Sequence, residues 1–322
     1  MTAPSVVVIS RDQDVTADLV VAELTRRGVG VARFDLAAFP QRLTQVAYLV
    51  SGRTQWTGVL RGEYRDVDLH KVRAIWYRKP STFQFHPGMS ATEQRWSAAE
   101  AREGFGGLLA ALPQVHWVNH PARNAMASKP RQLQVATEAG LLVPDTVITN
   151  DPVQARDFCR AHHAEGVIYK PLCGGPSSED GHRVVLWATP VTAEGITDAV
   201  RHTVHLFQAR VPCAYAARLT VVGDRMFAAR LDTPPGGEVV DWRAVDDLTL
   251  TPVETPADVA AGMRHLMGVF GLVYATADFV VDHDGRWHFI GDLNPNGQWA
   301  WITPWRDAIC TALADELTRT NS

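Results

Sequence analysis

A mixed α/β architecture of two or three domains is predicted for this chain by three observations. Its 322 residues, 46% of them hydrophobic, exceed what a single small core needs. Residues 6–34 read as strand, helix, strand. From residue 217 onward, turn signals at Gly223-Asp224 and Asp284-Gly285 split apolar runs into antiparallel hairpins.

Along the chain, residues 6–9 are an apolar β-type run, 15–26 have helical periodicity stopped by Gly28, and 29–34 return to strand. The intervening Ser10-Arg11-Asp12-Gln13-Asp14 turn lacks the glycine fingerprint of a dinucleotide site, so this first unit holds no nucleotide of its own. Residues 45–60 form a hairpin broken at Ser51-Gly52, and 72–77 a strand leading into Arg78-Lys79-Pro80. Ser90-Ala91-Thr92-Glu93 has the spacing of a capping box and opens a helix ending before Pro113. A short strand at 115–118 and the Asn119-His120-Pro121 turn close an N-terminal domain at 1–121.

Ser128-Lys129-Pro130 precedes a helix stopped by Gly140, strands follow at 146–149 and 167–170, and Asp151-Pro152 caps the helix between them. The polar loop at 173–182 carries Gly174, Gly175, Ser177 and Ser178. Two readings fit it equally, backbone amides closed over a phosphate or a plain hairpin connection. A helix over 193–207 then reaches Gln208-Ala209-Arg210-Val211, giving a central domain at 122–207 and a C-terminal one at 208–322. In the hairpin at 217–231, Arg218 and Arg230 fall opposite or diagonal, and like charges so placed call for an anion between them. A register one residue off puts them on opposite faces. Residues 236–245 form a loop carrying Asp241-Trp242-Arg243, and helices follow at 256–270 and 304–317.

The most informative stretch is the second hairpin. With its turn at Asp284-Gly285, Asp278 lies within about one residue of the position opposite Asp292, and Asn294 shares the Asp292 face through the two-residue repeat. Carboxylates brought side by side repel unless a cation separates them, and hard oxygen donors suit Mg²⁺. The alternative is an Asp278 that faces solvent and an Asp292 that merely begins a turn. A net charge of −4 speaks against a general nucleic-acid or membrane-surface partner. No apolar run reaches membrane-spanning length and no signal segment opens the chain, so the expected location is cytoplasmic. The 4 cysteines are scattered and the 12 histidines follow no ligand pattern, so neither zinc nor a disulfide framework is expected.

Lys129, Lys170, the glycine loop, residues 208–211, Arg218, Arg230, Asp278, Asp292 and Asn294 follow one another as in the ATP-grasp ligases. The Asp292-Leu293-Asn294-Pro295-Asn296-Gly297-Gln298-Trp299 run, with 221–228 and Trp76-Tyr77-Arg78-Lys79-Pro80, resembles the graspetide synthetases, the ribosomal-peptide maturases that include the microviridin ligases. The resemblance covers nearly the whole chain and implies an ATP-grasp fold with a pre-ATP-grasp domain, a central lobe and a C-terminal antiparallel-sheet lobe. It implies ATP and Mg²⁺ as cofactors and a precursor peptide of leader and core as partner, and it suggests a homodimer. The implied reaction phosphorylates an Asp or Glu side chain, and a Ser or Thr hydroxyl or a Lys amine then attacks to give an ω-ester or ω-amide. By family position, Lys129 and Lys170 hold the ATP phosphates with Gly174, Gly175, Ser177 and Ser178 as lid. Gln208, Ala209, Arg210 and Val211 contact adenine, Asp278, Asp292 and Asn294 hold Mg²⁺, Arg218 and Arg230 stabilise phosphate and acyl-phosphate oxygens, and Arg243 either does the same or meets the substrate carboxylate. Two departures stand out: Asp292 replaces the usual Glu, and Tyr215-Ala216-Ala217 lacks the acidic residue expected beside Arg218. A ligase adding free amino acids shares the same ATP chemistry, and a nucleotide binder without catalysis is the reading from another class.

Overall fold

The computed structural model describes residues 4–173, 177–179, 182–184, 186–234 and 240–319. The N-terminal unit is built from β1 (Val6–Ile9), α1 (Val15–Arg26), β2 (Val31–Phe34), β3 (Thr44–Tyr48), β4 (Thr57–Arg61), β5 (Asp66–Asp68), β6 (Ala74–Tyr77), α2 (Ala91–Ala101), α3 (Leu108–Ala110) and β7 (His116–Val118). Its main sheet is parallel in the order β2-β1-β6-β7, while β3, β4 and β5 form a separate antiparallel sheet. Local chemistry sets the helix starts: the Asp14 carboxylate accepts from the Thr16 and Ala17 amides at 3.0 and 3.1 Å, and Ser90 and Glu93 make the expected reciprocal cap.

Next come α4 (Pro121–Met126), α5 (Lys129–Glu138), β8 (Thr146–Thr149), α6 (Pro152–Ala161), β9 (Val167–Lys170), β10 (Ser177–Glu179), β11 (His182–Val184), β12 (Thr189–Val191) and β13 (His205–Ala209). The central sheet runs β12-β9-β13-β8, with β10 and β11 a separate hairpin. The helix expected over 193–207 is not formed. A 3₁₀ turn at Asp198–His202 precedes β13, which is antiparallel to both β8 and β9. Ile196 and Val200 are spaced as on a helix, but the slot between two unpaired strand edges overrides that local pattern and fills it with Leu206 and Phe207.

The C-terminal sheet is formed by β14 (Tyr215–Val222), β15 (Arg225–Asp232), β16 (Thr249–Val253), β17 (Tyr274–Val281) and β18 (Trp287–Asn294), with α7 (Ala257–Phe270) before β17 and α8 (Arg306–Leu317) at the end. Its order is β16-β15-β14-β17-β18, antiparallel throughout. Leu219, Ala277 and Phe289 on one face are covered by α7 and α5 through Met263, Leu266 and Val135. On the other face, Val222, Ala229 and Tyr274 share a core with α8 and with Val8, Trp76 and Leu24 of the N-terminal unit. Among the described residues, no helix is long and apolar enough to cross a membrane.

Candidate functional site

Strand register builds the site. Arg218 on β14 lies directly across from Asp278 on β17, and its Nη1 donates to Asp278 Oδ1 at 2.7 Å, while Nη2 donates to Thr276 Oγ1 at 2.9 Å. The acid expected beside Arg218 in its own strand is therefore supplied by the neighbouring strand. Between β17 and β18 the pairing Ala277↔Leu293 gives way to Phe279↔Phe289, so Asp278 faces the bulged segment 290–292. Gly291, at φ 75°, turns the bulge and sets Asp292 across from Asp278.

Three cations converge on Asp292. Lys129 Nζ, from the first turn of α5, is 2.7 Å from Oδ1, and Lys170 Nζ, at the end of β9, is 3.0 Å from Oδ2. The Arg243 guanidinium reaches Oδ2 at 3.5 Å and also donates to Asp278 Oδ2. Lys170 is only 4% exposed and additionally donates to the Ile290 carbonyl at 2.6 Å. Burial by itself would raise the Asp292 carboxyl, but Lys170, Lys129 and Arg243 outweigh it and hold the group far below the usual carboxylate range. Burial lowers the Lys170 ammonium, Lys129 and Arg243 push the same way, and Asp292 partly offsets them. Arg243 is also desolvated, yet Asp278, Asp292 and Asp241 raise it above its ordinary value.

Two cavities meet at Trp242 and Arg243. The first, about 550 Å³, lies between the central and C-terminal sheets and is lined by Ile168, Lys170, residues 208–211, Leu231 and Asp292. The second, about 690 Å³, is lined by Lys79, Arg218, Asn294, Gln298 and Trp301. The Arg218 guanidinium lies over Trp242 and Trp301, 5.4 and 5.7 Å from their ring centroids.

The structure thus brings Lys129, Lys170, Arg218, Arg243, Asp278 and Asp292 into one cluster, with Gln208, Ala209, Arg210 and Val211 along the first cavity. Asn294 borders the second cavity, its Oδ1 accepting from the Asn296 amide at 2.9 Å. Arg230 is not part of the cluster. Its partner across the hairpin is Ala217, whereas Arg218 pairs with Ala229, so the two arginines occupy opposite faces. Arg230 instead forks Asp232 and lies over the Tyr215 ring at 4.3 Å. The proposed clamp between Arg218 and Arg230 fails on this one-residue register. Gly174 and Gly175 lie outside the described residues, and Ser177 and Ser178 are on β10, paired with Val184 and Arg183.

Sequence reasoning missed three supporting residues. Asp241 accepts from the Arg243 amide and guanidinium, both at 3.1 Å, and so aims that arginine. Its signal was the Asp-x-Arg spacing within the 241–243 loop, an Asx turn. Thr276, two residues before Asp278 on the same face, could have been found by strand alternation. Gln132 binds both the amide and the carbonyl of Leu293, at 2.9 Å each, and locks α5 to β18; no local pattern announces it.

Asp278 and Asp292 contact the same guanidinium, which stands where a cation bridging them would sit. Two carboxylates so placed suit Mg²⁺, which completes its shell with water and phosphate. Gln208 offers a second point of fit in the first cavity. Its Nε2 donates to Thr146 Oγ1 at 3.0 Å, while its buried Oε1 has no donor among the described residues and is open to an exocyclic amine.

Residues 5–125 match the family model described as the MvdD pre-ATP-grasp domain. Among solved structures, the chain is similar to the macrocyclase MdnC from Microcystis aeruginosa MRC, solved with precursor peptide MdnA, at 26% identity over 97% of this chain and 98% of that one, with a TM-score of 0.84. It is also similar to a Chryseobacterium gregarium RiPP-associated ATP-grasp ligase, solved with ADP and a leader and core peptide, at 23% identity over 98% and 96% of the two chains, TM-score 0.86. A third match, the ATP-grasp ligase PsnB complexed with minimal precursor, has 21% identity over 98% of each chain and TM-score 0.76. A comparison with curated protein sequences finds no match. Fold and site define an ATP-grasp, ADP-forming ligase. Its pre-ATP-grasp domain is of the MvdD type, and the resemblance to the ATP-grasp maturases of ribosomal peptides is borne out.

Proposed function

We propose that this ligase is a macrocyclase that uses ATP and Mg²⁺ to join side chains within a ribosomally made precursor peptide. The observation that carries the proposal is the Asp292 cluster at the wall shared by two cavities, one suited to a nucleotide and the other able to admit an acidic side chain. Lys129 and Lys170 would bind the ATP phosphates as these displace them from Asp292, and Gln208 Oε1 would accept from the adenine amine. Asp278, Asp292 and Asn294 would hold Mg²⁺, which when bound neutralises charge on the phosphoryl oxygens.

A peptide carboxylate oxygen in the second cavity attacks the γ-phosphorus, and the bond to the β-phosphate bridging oxygen breaks, releasing ADP. The acyl phosphate now carries a leaving group that the carboxylate lacked. A Ser or Thr hydroxyl, or a Lys amine, of the same peptide attacks its carbonyl, loses a proton and expels inorganic phosphate, giving the ω-ester or ω-amide. Arg218, held by Asp278 and Thr276 and lying against the rings of Trp242 and Trp301, is positioned to receive developing negative charge with little reorganisation. Holding both side chains in one chamber makes the second step effectively intramolecular.

The test is the intact mass of a candidate precursor peptide, sought among the short open reading frames next to this chain's gene, after incubation with the protein, ATP and Mg²⁺. Each ring should remove one water, about 18 Da by condensation, and mild alkaline hydrolysis should reopen esters but not amides. An unchanged peptide with ATP consumed on free amino acids would overturn the reading in favour of an amino-acid ligase. No ATP consumption with any acceptor would instead indicate a nucleotide binder.

A further inference from the structure

Lys79 is the non-glycine residue with positive φ among the described residues, at 42°. Pro80 follows it, and a residue before proline is driven toward extended backbone, so left-handed geometry here is doubly disfavoured. Such an outlier persists only where its surroundings enforce it, and it is a sign of function when it aims a side chain. Here the side chain lines the second cavity with Arg218, Arg243, Trp242, Asn294 and Gln298.

The charge arrangement gives the outlier its meaning. Arg218 is committed to Asp278, and Arg243 to Asp278, Asp292 and Asp241. The adjacent Arg78 is paired with Asp14, its Nε 3.0 Å from Oδ2. Lys79 has no carboxylate within ion-pair distance among the described residues; Asp246 lines the same cavity without reaching it. Burial and the neighbouring Arg78 lower the Lys79 ammonium to about 8. A half-buried ammonium without a counter-ion is unfavourable, and a carboxylate entering the cavity relieves it.

We infer that Lys79 anchors the reacting Asp or Glu side chain of the substrate in the second cavity, setting its carboxylate beside Arg218 and Arg243 and facing the nucleotide. The inference rests on the ligase reading of the site and extends it to a specificity residue supplied by the N-terminal domain. It also explains why that domain reaches the site at all: Lys79 is the residue by which the pre-ATP-grasp unit selects an acidic acceptor.

The experiment titrates the protein with N-acetylglutamate methylamide by isothermal calorimetry, with the glutamine analogue as control, in wild type, Lys79→Gln and Lys79→Arg. The expected result is binding of the glutamate probe alone, weakened at least tenfold by Lys79→Gln and restored by Lys79→Arg. In turnover with the precursor peptide, Lys79→Gln should raise KM for the peptide at least tenfold and leave KM for ATP unchanged. Equal probe affinity in wild type and Lys79→Gln, or no probe binding to wild type, overturns the anchor; failure of the mass assay in wild type overturns the macrocyclase reading separately. Lys79→Gly, which suits the positive φ, guards against a folding artefact. It should melt at or above the wild-type temperature while losing the probe.

Discussion

At the scale of single residues, the cluster separates ligands that also hold the fold from those that do not. The sequence alone suggests that Asp292→Ala and Asn294→Ala each abolish ATP-dependent turnover and leave the fold intact. The structure divides that expectation. Asp292 neutralises Lys170, which is 4% exposed, and Lys129, so its removal leaves buried positive charge unpaired. Breaking such a pair costs about 3–5 kcal/mol, and Asp292→Ala should lower the melting temperature. The Asn294 side chain is exposed and makes one bond to the Asn296 amide, so Asn294→Ala should melt close to wild type. Both should lose at least ~10²-fold in ATP turnover, since each removes an oxygen ligand of the ion that stabilises the transferring phosphoryl group. Retained turnover in both would refute the metal assignment. Lys79 supplies the pH dependence. Its folded value of about 8 lies below the ordinary 10.5, under the influence of burial, Arg78, Arg11 and Arg218 against Asp14. Between those values the unfolded chain binds the proton and the folded chain does not, so stability rises with pH across that window. The melting temperature of wild type relative to Lys79→Met should therefore climb from pH 8 to pH 10.5 in ligand-free protein; a flat difference would show that the ammonium is not desolvated.

Among the elements, β18 and α5 carry the site, and they show why part of it was legible in the sequence. The Asp284-Gly285 turn fixes the count back to Asp278 and forward toward Asp292, and so brings the two carboxylates near one another. The ladder it sets, Phe279↔Phe289, would continue Asp278 onto Ile290. It is the bulge at 290–292, which no turn signal announces, that brings Asp292 across from Asp278. The same counting failed for Arg218 and Arg230, because Gly223-Asp224 leaves the register uncertain by one residue and one residue reverses the face. The bulge itself depends on Gly291. An added Cβ there would lie 2.8 Å from Leu133 Cδ2, and φ 75° is costly for any other residue. Gly291→Ala should lose about 2–4 kcal/mol, of which ~1 is backbone and the rest overpacking, and it should lower turnover by pushing α5, with Lys129, off Asp292. Adding Leu133→Ala makes room for the methyl but leaves the backbone penalty, so the pair should be less destabilising than the two single changes summed. Gly285→Ala is the control: φ is 80° and nothing lies within 4 Å, so it should lose only the backbone share and keep its turnover. Additivity in the double variant would mean that Leu133 does not set the bulge.

Across the whole molecule, the order from an N-terminal parallel sheet to a C-terminal antiparallel one was legible from turn signals and apolar runs, but the joints were not, since these depend on residues far apart in sequence. The boundary expected between 207 and 208 falls inside β13, whose Gln208 and Ala209 pair with Ile168 and Val167. Asn119, within the Asn119-His120-Pro121 turn, is such a joint. It is 1% exposed, its Oδ1 accepts from the Val273 and Tyr274 amides at 2.8 and 3.0 Å, and its Nδ2 donates to the Tyr274 and Pro295 carbonyls at 2.7 and 3.2 Å. One side chain thus ties the end of β7 to the start of β17 and to the loop leaving Asn294. Asn119→Ala leaves buried backbone groups unpaired, at about 1–3 kcal/mol for each one stranded. Asn119→Asp keeps the acceptor for the two amides but sets a second carboxylate oxygen against two carbonyls, so the ionised form should destabilise the chain at neutral pH. Protonation restores a single donor that one carbonyl can accept. Urea midpoints measured relative to wild type should therefore show Asn119→Asp recovering between pH 7 and pH 5, and Asn119→Ala unchanged over that range. If the two variants track each other at every pH, the Nδ2 bonds contribute nothing to the joint, and the N-terminal domain is held to the catalytic sheet by its shared apolar core and by Arg78, which donates to the Gly297 carbonyl at 2.9 Å.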